Sequence, residues 1–198
     1  MKSGGRSRWS LAAVAAVAGI AAFATGALHA RSGAQQPAPQ QSDAVKRGEY
    51  LVKGVGCADC HTPHTLTETG PEPDMANWLA GHPASAALPP PPEAKGPWVG
   101  AVAGSMTAWS GPWGVSYTAN LTPDAETGLG AWTEQQFIDT MRTGRRQGRG
   151  RQILPPMPWP AFSNLTDDDL KAIFAYLRSI PPVKNKVPEP IVPTGAQP

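Results

Sequence analysis

Cys57-Ala58-Asp59-Cys60-His61 constrains this chain more than any other stretch of it, and it contains the only two cysteines present. One helical turn brings residues i and i+3 onto one face, so two thiols at this spacing point the same way, with an imidazole directly after them. Three common uses of a cysteine pair fit poorly. A disulfide framework carries more cysteines at wider spacings. A redox dithiol follows a strand in a βαβ unit, and no such pattern surrounds the pair. Structural zinc takes four ligands, and there is no second pair. What remains is C-x-x-C-H as a covalent haem-attachment motif. Two thiols add to the vinyl groups on one porphyrin edge, and the following histidine reaches under the iron. The expectation is one haem c on Cys57 and Cys60, with His61 as an axial ligand.

The second axial ligand decides what such a haem does. The candidates are Met75, Met106, Met141, Met157, His64 and His82. His64 lies too near His61 to reach the opposite porphyrin face. Met141 falls on the apolar side of an expected helix, where Met is usually core filler. Met75 and Met106 lie in a stretch without regular pattern. Met157 sits in Leu154-Pro155-Pro156-Met157-Pro158-Trp159-Pro160. The flanking prolines hold the backbone extended and deny it a helix, so this strap can present a thioether. Met157 is the expected ligand, with His82 or an open position as alternatives. His/Met ligation raises the reduction potential and fills both axial positions, which suits electron transfer rather than substrate binding.

The rest of the chain is arranged around that motif. Lys2, Arg6 and Arg8 precede an uncharged run from Trp9 to Ala30, so residues 1–30 read as a signal peptide or an N-terminal membrane anchor. Either delivers the chain to the periplasm or to the outer face of the cytoplasmic membrane. Residues 31–42 are Gln-, Pro- and Ala-rich and read as a flexible linker. Apolar spacing predicts a helix from Asp43 to Val55. Thr133-Glu134-Gln135-Gln136 is a capping-box pattern that opens a second helix, buries Phe137, Ile138 and Met141, and stops at Gly144. Thr166 and three aspartates open a third, with Leu170, Ile173, Phe174 and Leu177 on one face and Pro181-Pro182 at its end. Between them, residues 67–118 are proline-rich and aperiodic, yet hold Trp78, Trp98, Trp109 and Trp113. Indoles bury much apolar area, so this irregular insertion is expected to pack on the core, with Pro89 to Lys95 as its loosest part. The 23 prolines and 21 glycines among 198 residues fit a small helical core with long connections. The domain is expected to span 43–187, and residues 188–198 form a Pro-rich tail.

At these residues the chain resembles the class I cytochrome c family, over about Ala44 to Val187. The resemblance is carried by Arg47-Gly48-Glu49-Tyr50-Leu51 before the cysteines, and by Met157 followed by Leu165-Thr166-Asp167-Asp168-Asp169-Leu170 and Ala175-Tyr176-Leu177. Gly111-Pro112-Trp113-Gly114, Asn120-Leu121-Thr122-Pro123-Asp124 and Thr127-Gly128-Leu129-Gly130 are similar to bacterial periplasmic cytochromes and to haem modules of membrane-bound dehydrogenases. The resemblance implies an all-α, cytochrome c-like helical domain whose first and last helices cross near Gly48 and Tyr176. It also implies electron transfer as the role. The long insertion departs from the compact family pattern.

Weaker signals surround the site. Arg142, Arg145, Arg146, Arg149 and Arg151 form a basic run. Arg142 and Arg145 are candidates to neutralise haem propionates, and the rest to steer an acidic partner or simply to be solvated. Trp132 and Trp159 could pack on the haem or belong to the core. Asn120 and Asp124 suit a turn better than a calcium ion. A formal charge of +2 gives no footprint for nucleic acid. The expected function is an electron carrier rather than an enzyme. Its partners would be a redox donor and acceptor, such as a membrane-bound dehydrogenase or a terminal oxidase. The alternative is the haem subunit of a periplasmic dehydrogenase, or a haem enzyme with a displaceable sixth ligand.

Overall fold

Helix α1 (Asp43–Gly54) starts where Ser42 Oγ accepts a hydrogen bond from the Val45 amide at 3.3 Å. The computed structural model describes residues 42–193. The proposed leader, residues 31–41 of the linker and the end of the tail lie outside the described residues. Among the described residues, no helix is long and apolar enough to cross a membrane.

Four of the five α-helices among the described residues fall where the sequence pattern puts them, and one does not. Helix α2 (Cys57–His61) is the single turn carrying the motif. Helix α3 (Glu134–Thr143) has the full capping box, with Thr133 and Gln136 each bonding the other's backbone amide, and ends at Gly144 in the left-handed region, φ 65°. Helix α4 (Trp159–Phe162) takes up Trp159 and Pro160 of the proline stretch, where an extended backbone was expected, because a proline in the first turn of a helix forfeits no intrahelical bond. Helix α5 (Asp167–Ser179) is capped by Thr166 Oγ1, which accepts from the Asp169 amide at 3.1 Å.

Helices α1 and α5 form the main crossing, and Gly48 makes it possible. A Cβ on Gly48 would lie 1.9 Å from the Ala172 carbonyl oxygen and 2.8 Å from Tyr176 Cβ. Only a residue without a side chain lets the two backbones approach this closely. Leu51, Val52, Leu170, Ile173 and Leu177 are buried there, each contributing about 2 kcal/mol through removal of apolar surface from water. Phe137 of α3 meets Phe174 of α5 with ring centroids 5.4 Å apart.

The core is helical, as expected, but the insertion is not irregular throughout. Strands β1 (His64–Thr67) and β2 (Gly70–Pro73) form an antiparallel hairpin. Strands β3 (Ala101–Val102), β4 (Ala108–Gly111) and β5 (Gly114–Tyr117) form a three-stranded meander. The fold is therefore a helical core with two small sheets, where an all-α domain was expected. These strands are two to four residues long and rich in Gly and Pro, so they carry too few alternating positions to register as strands in the sequence. Residues 88–95 are exposed and without regular structure. Trp78, Trp109 and Trp113 are half-buried, whereas Trp98 is 76% exposed and does not pack on the core.

The chain after α5 returns to the insertion instead of leaving the domain. Val115 and Ile191 exchange both backbone hydrogen bonds, at 2.7 and 2.9 Å. The first part of the expected tail is thus bound to β5.

Candidate haem site

Gly56 opens the site. It adopts φ 79°, a left-handed turn that starts α2 directly after α1. The helical turn sets Cys57 and Cys60 at i and i+3, both half-buried and both free thiols. Burial pushes the Cys57 thiol up to about 11, and burial likewise raises Cys60. Redox dithiols need a depressed thiol, so this environment suits that chemistry poorly.

His61 is buried, and its Nδ1 lies 2.7 Å from the Ala119 carbonyl oxygen. A carbonyl only accepts, so Nδ1 carries the proton and donates it. In the neutral ring this leaves the lone pair on Nε2. Burial lowers the proton affinity of His61, and the Ala119 bond opposes this only partly, which favours the neutral form that can ligate a metal. A histidine held through one nitrogen by a backbone carbonyl, with the other nitrogen left to an iron, is the usual arrangement of a metal-binding imidazole. The donor set therefore fits a covalent haem. Cys57 and Cys60 would hold the porphyrin edge, and His61 Nε2 would meet the iron.

Ala119 follows β5, and the same strand reaches the methionine strap. Ser116 Oγ donates to the Pro155 carbonyl at 2.6 Å, two residues before Met157. On the other side of Met157, Trp159 packs against the end of α3, where a Cβ on Gly144 would come within 2.2 Å of the indole. Met157 itself is half-buried. Its strap is fixed at both ends, and the β5 segment anchors both the strap and the His61 ring.

The other candidates sit in different settings. His82 is fully buried, with Nε2 donating to the Ala86 carbonyl at 3.2 Å and Nδ1 bonded to Thr107 Oγ1 at 3.0 Å. Neither nitrogen is left for an iron. His64 Nδ1 bonds the Thr62 carbonyl at 2.9 Å, the same arrangement as His61, so what sets it apart is its place only three residues from His61. Met75 is 64% exposed, Met106 occupies a left-handed turn at φ 58°, and Met141 packs on the core.

The candidate propionate residues already hold protein partners. Arg142 donates to the Ser163 carbonyl and to Asp167 Oδ1, tying α3 to the start of α5. Two of the five N–H donors of this half-buried guanidinium are engaged there. Arg145 is exposed and donates to the Gly150 carbonyl at 3.1 Å. Trp132 packs on the core beneath the Arg146 guanidinium, 5.7 Å from its ring centroid. Asp124 makes the expected turn, with Oδ1 accepting from Thr127 N at 2.8 Å and Thr127 Oγ1 at 2.6 Å. Sequence reasoning missed Ser116, Ala119 and Asn185. Two of these act on carbonyls distant in sequence and one acts through its own carbonyl, so no side-chain pattern signals them.

Comparison with known proteins places this geometry in a family. The cytochrome c family model matches residues 45–181. The chain is 31% identical to the cytochrome c subunit of a quinone alcohol dehydrogenase from Gluconobacter oxydans, over 91% of this chain and 29% of that protein. It is 30% identical to the cytochrome subunit of fructose dehydrogenase from Gluconobacter japonicus, over 79% and 26%. It is also 30% identical to the cytochrome c subunit of gluconate 2-dehydrogenase from Pantoea cypripedii, over 73% and 25%. The chain spans less than a third of the length of these relatives. The family match runs from the first helix through the cysteine pair and the methionine strap to the end of the last helix, and on that ground the chain belongs to the cytochrome c family.

Proposed function

We propose that this chain is a single-haem electron carrier that works outside the cytoplasm. Haem, when bound, supplies one-electron exchange between ferric and ferrous iron. The residues of this chain attach, orient and shield it. Cys57 and Cys60 hold it covalently, His61 Nε2 supplies one axial ligand, and Met157 supplies the other. The observation that carries the reading is the His61 Nδ1–Ala119 bond of 2.7 Å, which directs the remaining ring nitrogen to a metal. With only one C-x-x-C-H motif in the sequence, the stoichiometry is one haem.

Filling both axial positions makes the protein a relay rather than a catalyst, because substrate has no iron position to occupy. The relatives named as dehydrogenase cytochrome subunits support a membrane-bound dehydrogenase as the redox partner. Residues 1–30, read as the export signal or anchor, would deliver the haem domain to the periplasm or to the outer face of the cytoplasmic membrane. The test is the optical spectrum of purified holo-protein. A far-red sulfur-to-iron band in the oxidised state and no carbon monoxide binding in the reduced state are expected. A high-spin oxidised spectrum with rapid carbon monoxide binding would sink the Met157 assignment and return the enzyme reading.

A further inference from the structure

Asn185 lies beyond α5 and outside the family match at 45–181, yet its side chain makes three hydrogen bonds to backbone groups about a hundred positions earlier. Oδ1 accepts from Ala84 N at 2.9 Å. Nδ2 donates to the Ala80 carbonyl at 2.7 Å and the His82 carbonyl at 2.9 Å. Asn185 is itself held in place, since its amide donates to Thr127 Oγ1 at 3.1 Å. Nearby, Asn120 Nδ2 donates to the Val183 carbonyl at 2.8 Å.

The segment gripped by Asn185 is the brace between His61 and the carbonyl its ring uses. On one side, Gly81 N donates to the His61 carbonyl at 2.8 Å. On the other, His82 N donates to the Thr118 carbonyl at 3.0 Å, and Leu121 N donates to the Leu79 carbonyl at 2.9 Å. These two bonds flank Ala119. No side chain separates the two backbones, because a Cβ on Gly81 (φ 76°) would lie 2.5 Å from the Thr118 oxygen. Close-packed backbones transmit displacement directly. Ala80 and His82 are buried, so removing the Asn185 amide leaves their carbonyls without that donor, and the brace must shift to recover one.

We infer that Asn185 is a positioning residue for the iron's histidine ligand. It holds 80–84 so that the His61 Nδ1–H···O=C Ala119 bond keeps its short geometry. This rests on the proposal that His61 ligates the iron. Donation from Nδ1 makes the ring a more basic ligand, which favours ferric iron and lowers the reduction potential. Loosening the brace should raise the potential.

The experiment uses holo-protein carrying Asn185→Ala and, separately, Asn185→Asp. The second keeps the size and the Ala84 bond, but sets a carboxylate against two carbonyl oxygens. The readouts are the midpoint potential and the NMR signal of the His61 Nδ1 proton. Arg47→Gln, which removes the α1–α5 ion pair with Asp169 away from the brace, is the control. The expected result is a higher potential and faster exchange of the His61 ring proton in both Asn185 variants, with the control lowering stability alone. Unmoved potential and proton exchange in both variants would overturn the inference, even if stability falls. An equal shift in the control would overturn it too. A parent protein without paramagnetically shifted His61 ring signals would instead overturn the ligation itself, and this inference with it.

Discussion

Ser116 and Pro155 are joined by a 2.6 Å hydrogen bond from the Ser116 hydroxyl to the Pro155 carbonyl, across 39 positions of sequence. This bond links the small sheet of the insertion to the methionine strap. Three residues further along, Ala119 accepts from the His61 ring at 2.7 Å. One stretch of chain therefore carries an anchor for each proposed axial ligand. The insertion is part of the site rather than a cover laid over it.

Ser116→Ala should loosen the strap. The expected loss of stability is about 1 kcal/mol, the net worth of one such bond. Carbon monoxide should bind a fraction of the reduced protein that the parent does not offer. Flash photolysis checks this, and an unreactive variant would show that the strap is held without Ser116.

Met157→Ala should lower the midpoint potential, abolish the far-red band and admit carbon monoxide fully. Redox titration and optical spectra decide it. A spectrum identical to the parent would assign the ligand to another residue.

Gly48→Ala should weaken the fold by about 3 kcal/mol, at the upper end of overpacking effects, because the added methyl meets the Ala172 carbonyl at 1.9 Å. Helix propensity alone favours Ala over Gly by about 1 kcal/mol, so the sign of the change separates packing from propensity. Urea denaturation of the holo-protein measures it.

Arg142→Gln should leave the midpoint potential unchanged while reducing stability, since the guanidinium bridges Ser163 and Asp167. A shifted potential would restore Arg142 to the propionate contacts expected from sequence.

Acid should destabilise the fold through His82. Burial lowers its proton affinity, with the Ala86 carbonyl bond opposing this. The groups facing it are the Thr107 hydroxyl, the Ala86 carbonyl and the Tyr117 ring, whose centroid lies 4.8 Å away. The unfolded chain binds the proton first, so this contribution is complete above the ordinary histidine value of 6.5 and is lost as pH falls below it. His82→Gln should flatten the stability profile below pH 6.5. An unchanged slope would assign it to other groups.

What the sequence determined by itself was local. The Cys57–His61 turn, the Thr133 capping box, the Thr166 cap and the apolar stripe of α5 all depend on residues within a few positions of one another. Helical periodicity and cap chemistry act over that range, so they are readable without a fold. The stretch around Met157 was legible only in part, since the prolines keep Met157 itself out of a helix but the chain turns at 155–156 and starts α4 at Trp159.

Tertiary structure decided everything that depends on a distant partner. Short strands such as Ala101–Val102 exist only because another strand supplies their hydrogen bonds. The Ala119 carbonyl is common to any residue at that position, so its service to His61 leaves no trace in residue type. Arg142 was a propionate candidate because arginine suits carboxylates, and only the packing of α3 against α5 showed that it also pairs with Asp167. The motif that opened the reading names which residues would hold the haem, and the chain folded back from 119 and from 185 sets how firmly they are held.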